Sequence, residues 1–347
     1  MRIDADSHVD ETEATWAYLE EIESPFRPVT IQPEPGAVLA NTRDLAWQAG
    51  PVTLRRPVRD YRRTGTSEAT NQLLDVGARL KHLDELRIDL QVLYPTTFIR
   101  TGFTGHEDVE IALTRSYNRW IASRTAESQG RLHWVATLPW LSIDEAVDEL
   151  RWSRAHGACG VYKKGLEARG RSVGDTYFFP LYEAASELGV PICIHTGSEG
   201  RPGGIPTPLD AVLAFPSLVN SGVLERFPDL RWGFIEASAS WVPFMLSIHA
   251  ASARHTHLQT TGPLSVAARP TLPEQVFVAC QSQDDLPYIL QFGTEEQLLV
   301  GTDYAHADQS AELVALDVIE QRAASGQISA EAARKILDDN PRRFYGL

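Results

Sequence analysis

The stretch "FPLYEAASELGVPICIHTG", residues 179–197, decides the fold. Its first part reads as a helix closed by Gly189, a residue type suited to the turn that ends helices. The remainder, "VPICIHTG", is a short apolar strand ending at His195. Outward from this helix–strand unit the same alternation recurs in both directions. Upstream lie "LQVLYPT", the helical "EIALTRSYNRWIASRTAES", "LHWVATLP", the helical "IDEAVDELRWSRAHG" and "CGVYKKG". Downstream lie "LVNSGVLERFP", "LRWGFIEAS", "WVPFMLSIHAASARH", "VFVAC", "LLVGTDY" and two closing helices. With "RIDADSH" at the start, eight strands are expected, near residues 3, 90, 133, 160, 192, 233, 277 and 299. Strands alternating with helices imply a parallel sheet. Eight such units in one chain imply an α/β fold of the closed (β/α)8 TIM-barrel type, one domain over residues 1–347.

One segment breaks the rhythm. Residues 20–75 are rich in Pro, Gly and Arg and weakly periodic, and they leave the barrel after strand one. So long an irregular insertion reads as a lid over the site, as a subunit contact, or as both.

Bulk properties exclude several function classes. A net charge of −14 opposes binding to nucleic acid or to anionic membranes, which both need a basic face. No apolar run approaches the ~20 residues of a membrane helix. "MRIDADSH" lacks the basic start and apolar stretch of an export signal. Cys159, Cys193 and Cys280 are too few and too scattered for a disulfide framework. A cytoplasmic protein acting on a small molecule is the expectation.

Barrel enzymes carry their chemistry at the C-terminal ends of the strands. Here those ends hold Asp6, Ser7 and His8 (strand one), His195 (five), Glu236 (six) and Asp303 (eight). Asp6 and His8 stand two apart, so on a strand they point to the same side. Two carboxylates with two imidazoles suit Zn2+, Mn2+ or Fe2+ better than Ca2+ or Mg2+. Asp6, His8, His195 and Asp303 are therefore the expected ligands of one divalent ion, which would acidify a water for attack. Read singly, Asp-x-His, a strand-end histidine or "GTDY" as a capped turn has a structural explanation; their joint position at one mouth favours a metal. His306, just beyond Asp303, is expected to reach substrate. His82, His133 and His156 lie away from the strand ends and are given no role.

The chain resembles the amidohydrolase-related branch of the amidohydrolase superfamily, which includes aminocarboxymuconate-semialdehyde and aromatic-acid decarboxylases. The resemblance rests on "DADSHVDE", "RLKHLDELRIDLQVLYPT", "YNRWIA", "FFPLYEAASELGVPICIHTG", "FPDLRWGFIEASASWVPFML" and "GTDYAHAD", in family order. It implies a metal-dependent enzyme, zinc as the usual ion with manganese and iron also used, the same four ligand positions, and a homodimer. Two departures stand out. Strand one reads Asp-x-His where many members read His-x-His or Glu-x-His. Strand six ends in Glu236 where the decarboxylases carry a proton-transferring histidine. The expected activity is hydrolysis, with water attacking a carbonyl or imine-like carbon, Asp303 as base and Glu236 or His306 assisting. The alternative is non-oxidative decarboxylation of an aromatic or unsaturated acid; an inactive binding barrel is the remaining reading. Lys163 at the end of strand four is expected to hold a substrate carboxylate, and Arg55 in the insertion likewise, with Arg56, Arg59, Arg62 and Arg63 as further candidates.

Overall fold

The computed structural model describes residues 1–32, 45–56, 60–100, 105–166, 170–197, 209–250, 271–307 and 310–347. Eight parallel strands form one sheet: β1 (Ile3–His8), β2 (Leu90–Tyr94), β3 (Leu132–Ala136), β4 (Ala158–Lys163), β5 (Ile192–His195), β6 (Trp232–Ile235), β7 (Val276–Cys280) and β8 (Leu298–Val300). They lie in chain order and pair in sequence. The ring closes between β8 and β1, where Ser7 bridges Tyr304. All eight expected strands are present, and the fold is a TIM barrel.

Helices follow the strands as the alternation requires. They include α1 (Val76–Glu85) before β2, α2 (Glu107–Ala126) after it, α3 (Ile143–Ala155) after β3 and α4 (Phe179–Glu187) after β4. Their ends obey local chemistry. The Asp75 side chain accepts the Ala78 N–H at the start of α1, and Gly157 and Gly189 take left-handed φ values just beyond α3 and α4. The strands read as nearly continuous apolar runs because both faces are covered. The lumen away from the mouth is filled: the Tyr345 hydroxyl donates to the Ala5 carbonyl at 2.6 Å and pairs with that of Tyr94 at 2.7 Å. The Phe344 ring lies where a Cβ on Gly233 would be, 2.3 Å away, so β6 needs glycine there.

The insertion differs from the irregular stretch expected for residues 20–75. Among its described residues, Val29–Ile31, Leu45–Ala49 and Val52–Arg56 form a three-stranded antiparallel sheet. Leu45, Trp47 and Ala49 oppose Arg56, Leu54 and Val52 across a turn at Gly50, and this alternating face is largely buried. Trp47 meets Trp16 edge-on at 5.2 Å, and Trp16 lies 6.3 Å from Phe98. The small sheet is thereby docked beside the loop that follows β2.

Candidate metal centre

The geometry gathers the strand-end residues. His8 and His195, 187 positions apart, have ring centroids 5.1 Å from one another in an edge-on arrangement. His8 Nδ1 lies 2.9 Å from the Pro95 carbonyl, and His195 Nδ1 lies 2.5 Å from the Thr196 carbonyl. A carbonyl only accepts, so each Nδ1 carries the proton and each neutral ring turns the lone pair of Nε2 inward. What the Nε2 atoms face is also electron-rich. His195 Nε2 is 3.4 Å from Asp6 Oδ1, and His8 Nε2 is 3.6 Å from Asp6 Oδ1 and 3.2 Å from Asp303 Oδ1. Lone pairs facing lone pairs repel unless a cation lies between them. Two ligands each ~2.1 Å from an ion at a tetrahedral angle stand about 3.4 Å apart, matching these separations. Asp6, His8 and His195, whose donor atoms all lie within 4.8 Å of one another, therefore fit a divalent transition metal, and Asp303 joins them through His8.

All four are buried to 3% exposure or less. Without an ion a proton on Nε2 would fill the same place: burial lowers the His195 pKa, but the hydrogen bond and charge of Asp6 and the charge of Glu236 outweigh it and raise the value. The seam between β8 and β1 holds three of the four. The Asp303 N–H donates to the Asp6 carbonyl at 2.9 Å, and the His8 N–H to the Tyr304 carbonyl at 2.9 Å. Asp4, one pleat below Asp6, accepts both the N–H and hydroxyl of Thr302.

Glu236 and His306 join the cluster. His8, Glu236, Asp303 and His306 form a second group whose donor atoms lie within 4.8 Å of one another. His306 stacks on His8 at 3.9 Å and 17°, with Nδ1 2.7 Å from Asp303 Oδ1 and Nε2 3.3 Å from the Thr96 hydroxyl. Glu236 Oε2 is 3.5 Å from His195 Nδ1. Its backbone φ is +54° and that of Asp303 is +50°, a conformation non-glycine residues rarely adopt. Backbone strain of this kind concentrates at functional sites.

One expected substrate-binding residue lies elsewhere. Lys163 sits on the face of β4 opposite Tyr162, fully buried, with Nζ 3.8 Å from the Phe178 ring centroid and 4.4 Å from that of Trp140. Tyr162 takes the lumen side, its ring 6.2 Å from that of His195. The end of β4 is thus correctly located, but strand parity turns Lys163 toward the helices. Arg55 is half-buried on the small sheet, on the face opposite Trp47 and Leu54. Arg56 pairs with Glu13 at 3.0 Å. Arg59 and the side chains of Arg62 and Arg63 lie outside the described residues.

The structure adds Ser310 and Asp284, which the sequence did not single out, and places Glu11, a potential ligand by its position after strand one. The Ser310 hydroxyl lies 2.6 Å from Glu236 Oε1 and 3.1 Å from Asp303 Oδ2, joining the two carboxylates. Asp284 accepts from the hydroxyls of Ser238 and Ser240 and from the N–H groups of Ala239 and Gln281, and so clamps the turn after Glu236. Glu11 receives the N–H groups of Thr96 and Thr97 at 3.1 and 2.9 Å; burial pushes its pKa up to about 7. Ser310 and Asp284 have no sequence signature, since each is an ordinary polar residue in a loop.

Comparison with known proteins agrees with this picture. The amidohydrolase family model matches residues 75–347. A 2-amino-3-carboxymuconate-6-semialdehyde decarboxylase of Dictyostelium discoideum is 24% identical over 297 residues, covering 81% of this chain and 79% of that protein. Among solved structures, an amidohydrolase from Mycobacterium avium subsp. paratuberculosis superposes with a TM-score of 0.73 at 20% identity, covering 100% of this chain and 98% of its own. The 5-carboxyvanillate decarboxylase of Sphingomonas paucimobilis superposes with a TM-score of 0.67 at 14% identity, covering 100% and 99%. At such identities the structural matches speak for the fold.

Proposed function

The chain belongs to the amidohydrolase family, and on that premise we propose that it is a metal-dependent hydrolase of a small organic substrate bearing a carbonyl or imine-like carbon. One observation carries this reading: the two inward-facing Nε2 atoms and the Asp6 carboxylate are spaced as ligands of one ion, with the Asp303 carboxylate beside His8 Nε2. A divalent ion held there supplies Lewis acidity, polarising an oxygen of the substrate and acidifying a water.

The protein's own groups do the remaining work. Asp303 takes the proton of the attacking water at a carboxylate oxygen. His306, hydrogen-bonded to Asp303 through Nδ1, holds that carboxylate in place, and Asp303 then delivers the proton it took to the leaving group. Glu236 orients the water from the strand-six side, with Ser310 fixing its carboxylate. Zinc as the native ion and a homodimer belong to the same reading and rest on the family resemblance; a cytoplasmic location is proposed with them from the few, scattered cysteines.

A second reading is non-oxidative decarboxylation. It is supported by the name of the Dictyostelium relative and by the imidazole of His306, which could supply the proton that the strand-six Glu236 is ill-suited to give. Incubation of zinc-loaded protein with aromatic acids, amides and lactones in 18O-water separates the two. Label in the product without CO2 selects hydrolysis; CO2 with no label selects decarboxylation and overturns the leading assignment.

A further inference from the structure

Beneath the β8–β1 seam lies a buried guanidinium. Arg79, on α1, is fully buried. Its Nε donates to Gln91 Oε1 at 2.8 Å, one terminal nitrogen to the Thr70 carbonyl at 3.0 Å, and the other to the His8 carbonyl at 3.3 Å. Its central carbon lies 3.5 Å from the centroid of the Tyr304 ring. Gln91 passes the connection on, donating to Asp4 Oδ2 at 2.7 Å, and Asp4 in turn holds Thr302. The far side of Tyr304 is fixed too, its hydroxyl 2.6 Å from Nδ1 of His82, a residue with no expected role.

This chain of contacts joins β1, β2 and the segment after β8, which carry Asp6, His8 and Asp303. Burying a charge costs several kcal/mol, and an apolar side chain would fill the space more cheaply. A planar donor fork does what an apolar group cannot: it grips the His8 backbone from one side while stacking on the neighbour of Asp303.

Building on the metal-centre reading, we propose that Arg79 is a positioning residue for that centre. It sets the distance between His8 and Asp303 across the seam, and through that distance the affinity for the ion, without touching any ligand atom. Partners at one remove from ligands commonly change metal affinity 10–100-fold when removed.

The test uses the full chain and Co2+, whose absorption spectrum reports ligand geometry, with affinity measured against a competing chelator. Arg79→Gln is expected to bind Co2+ roughly 10–100-fold more weakly with an altered visible band. Arg79→Lys should not restore either property, since an ammonium neither stacks in this way nor donates as a fork. Leu150→Ala, a buried change on α3 far from the seam, is the control for lost stability and should leave the Co2+ spectrum unchanged. If Arg79→Gln does not fold, Arg79→Lys decides, because it keeps the buried charge and loses the fork that reaches the His8 carbonyl. Weakened Co2+ binding in the folded seam variant supports the proposal; wild-type affinity and spectrum in that variant overturn it. Failure of the wild-type chain to bind Co2+ would instead sink the metal-centre reading itself.

Discussion

At the scale of single residues, the argument turns on what each polar atom faces. Asp303 meets His8, His306 and Ser310 at once. Asp303→Asn keeps the shape and one ligand oxygen but removes the proton acceptor. Turnover should fall roughly 100- to 10,000-fold while elemental analysis still finds most of the metal; unchanged turnover would remove Asp303 from the chemistry. Glu11 makes a prediction about stability. Its folded-state pKa, about 7, stands above the ordinary 4.5, so the folded chain holds this proton more tightly than the unfolded one. That contribution is complete below pH ~4.5 and is lost as pH rises through about 7. Melting of the metal-free protein should show this loss, and Glu11→Gln should flatten it; an identical pH profile in the variant would contradict the assignment. The metal-ligand candidates were legible in the sequence because strand ends are readable and Asp, His and Glu are chemically distinctive. Arg79, Asp284 and Ser310 were not, because their roles exist only in the contacts that folding creates. Lys163 shows the opposite error: its position along β4 was legible, but which face it takes depends on strand parity.

At the scale of elements, the eight strands were readable because buried parallel strands form unbroken apolar runs. The small sheet escaped because Pro and Arg obscure its alternation, although Leu45, Trp47, Ala49, Val52 and Leu54 mark one face. Turns and strand ends also constrain the site. At Gly301 an added Cβ would lie 2.3 Å from the Cβ of Asp6, with Asp6 backbone atoms 2.8 Å away. Gly301→Ala must therefore push β8 and β1 apart, costing about 1–3 kcal/mol as overpacking and lowering metal affinity together with thermal stability. A fall in stability with metal affinity untouched would show that the seam does not govern the ligands.

At the scale of the whole molecule, an ion held at the proposed centre would stabilise the barrel that binds it. A ligand that binds only the folded state adds stability, about 2.7 kcal/mol at 100 times its Kd. Chelation should lower the melting temperature by several degrees, and the increment should vanish in His8→Ala; an unchanged melting curve on chelation would argue against a bound ion in the purified protein. The position of the seam has a consequence for biosynthesis. Asp4 and Thr302, which meet across it, are separated by 298 positions. At roughly 5–20 residues per second, the ribosome releases Asp6 and His8 tens of seconds before Asp303 exists. Throughout that interval the nascent β1 has no β8 to close against, so an open strand persists until β8 has been made. Only then can the cation be captured with its full set of ligands.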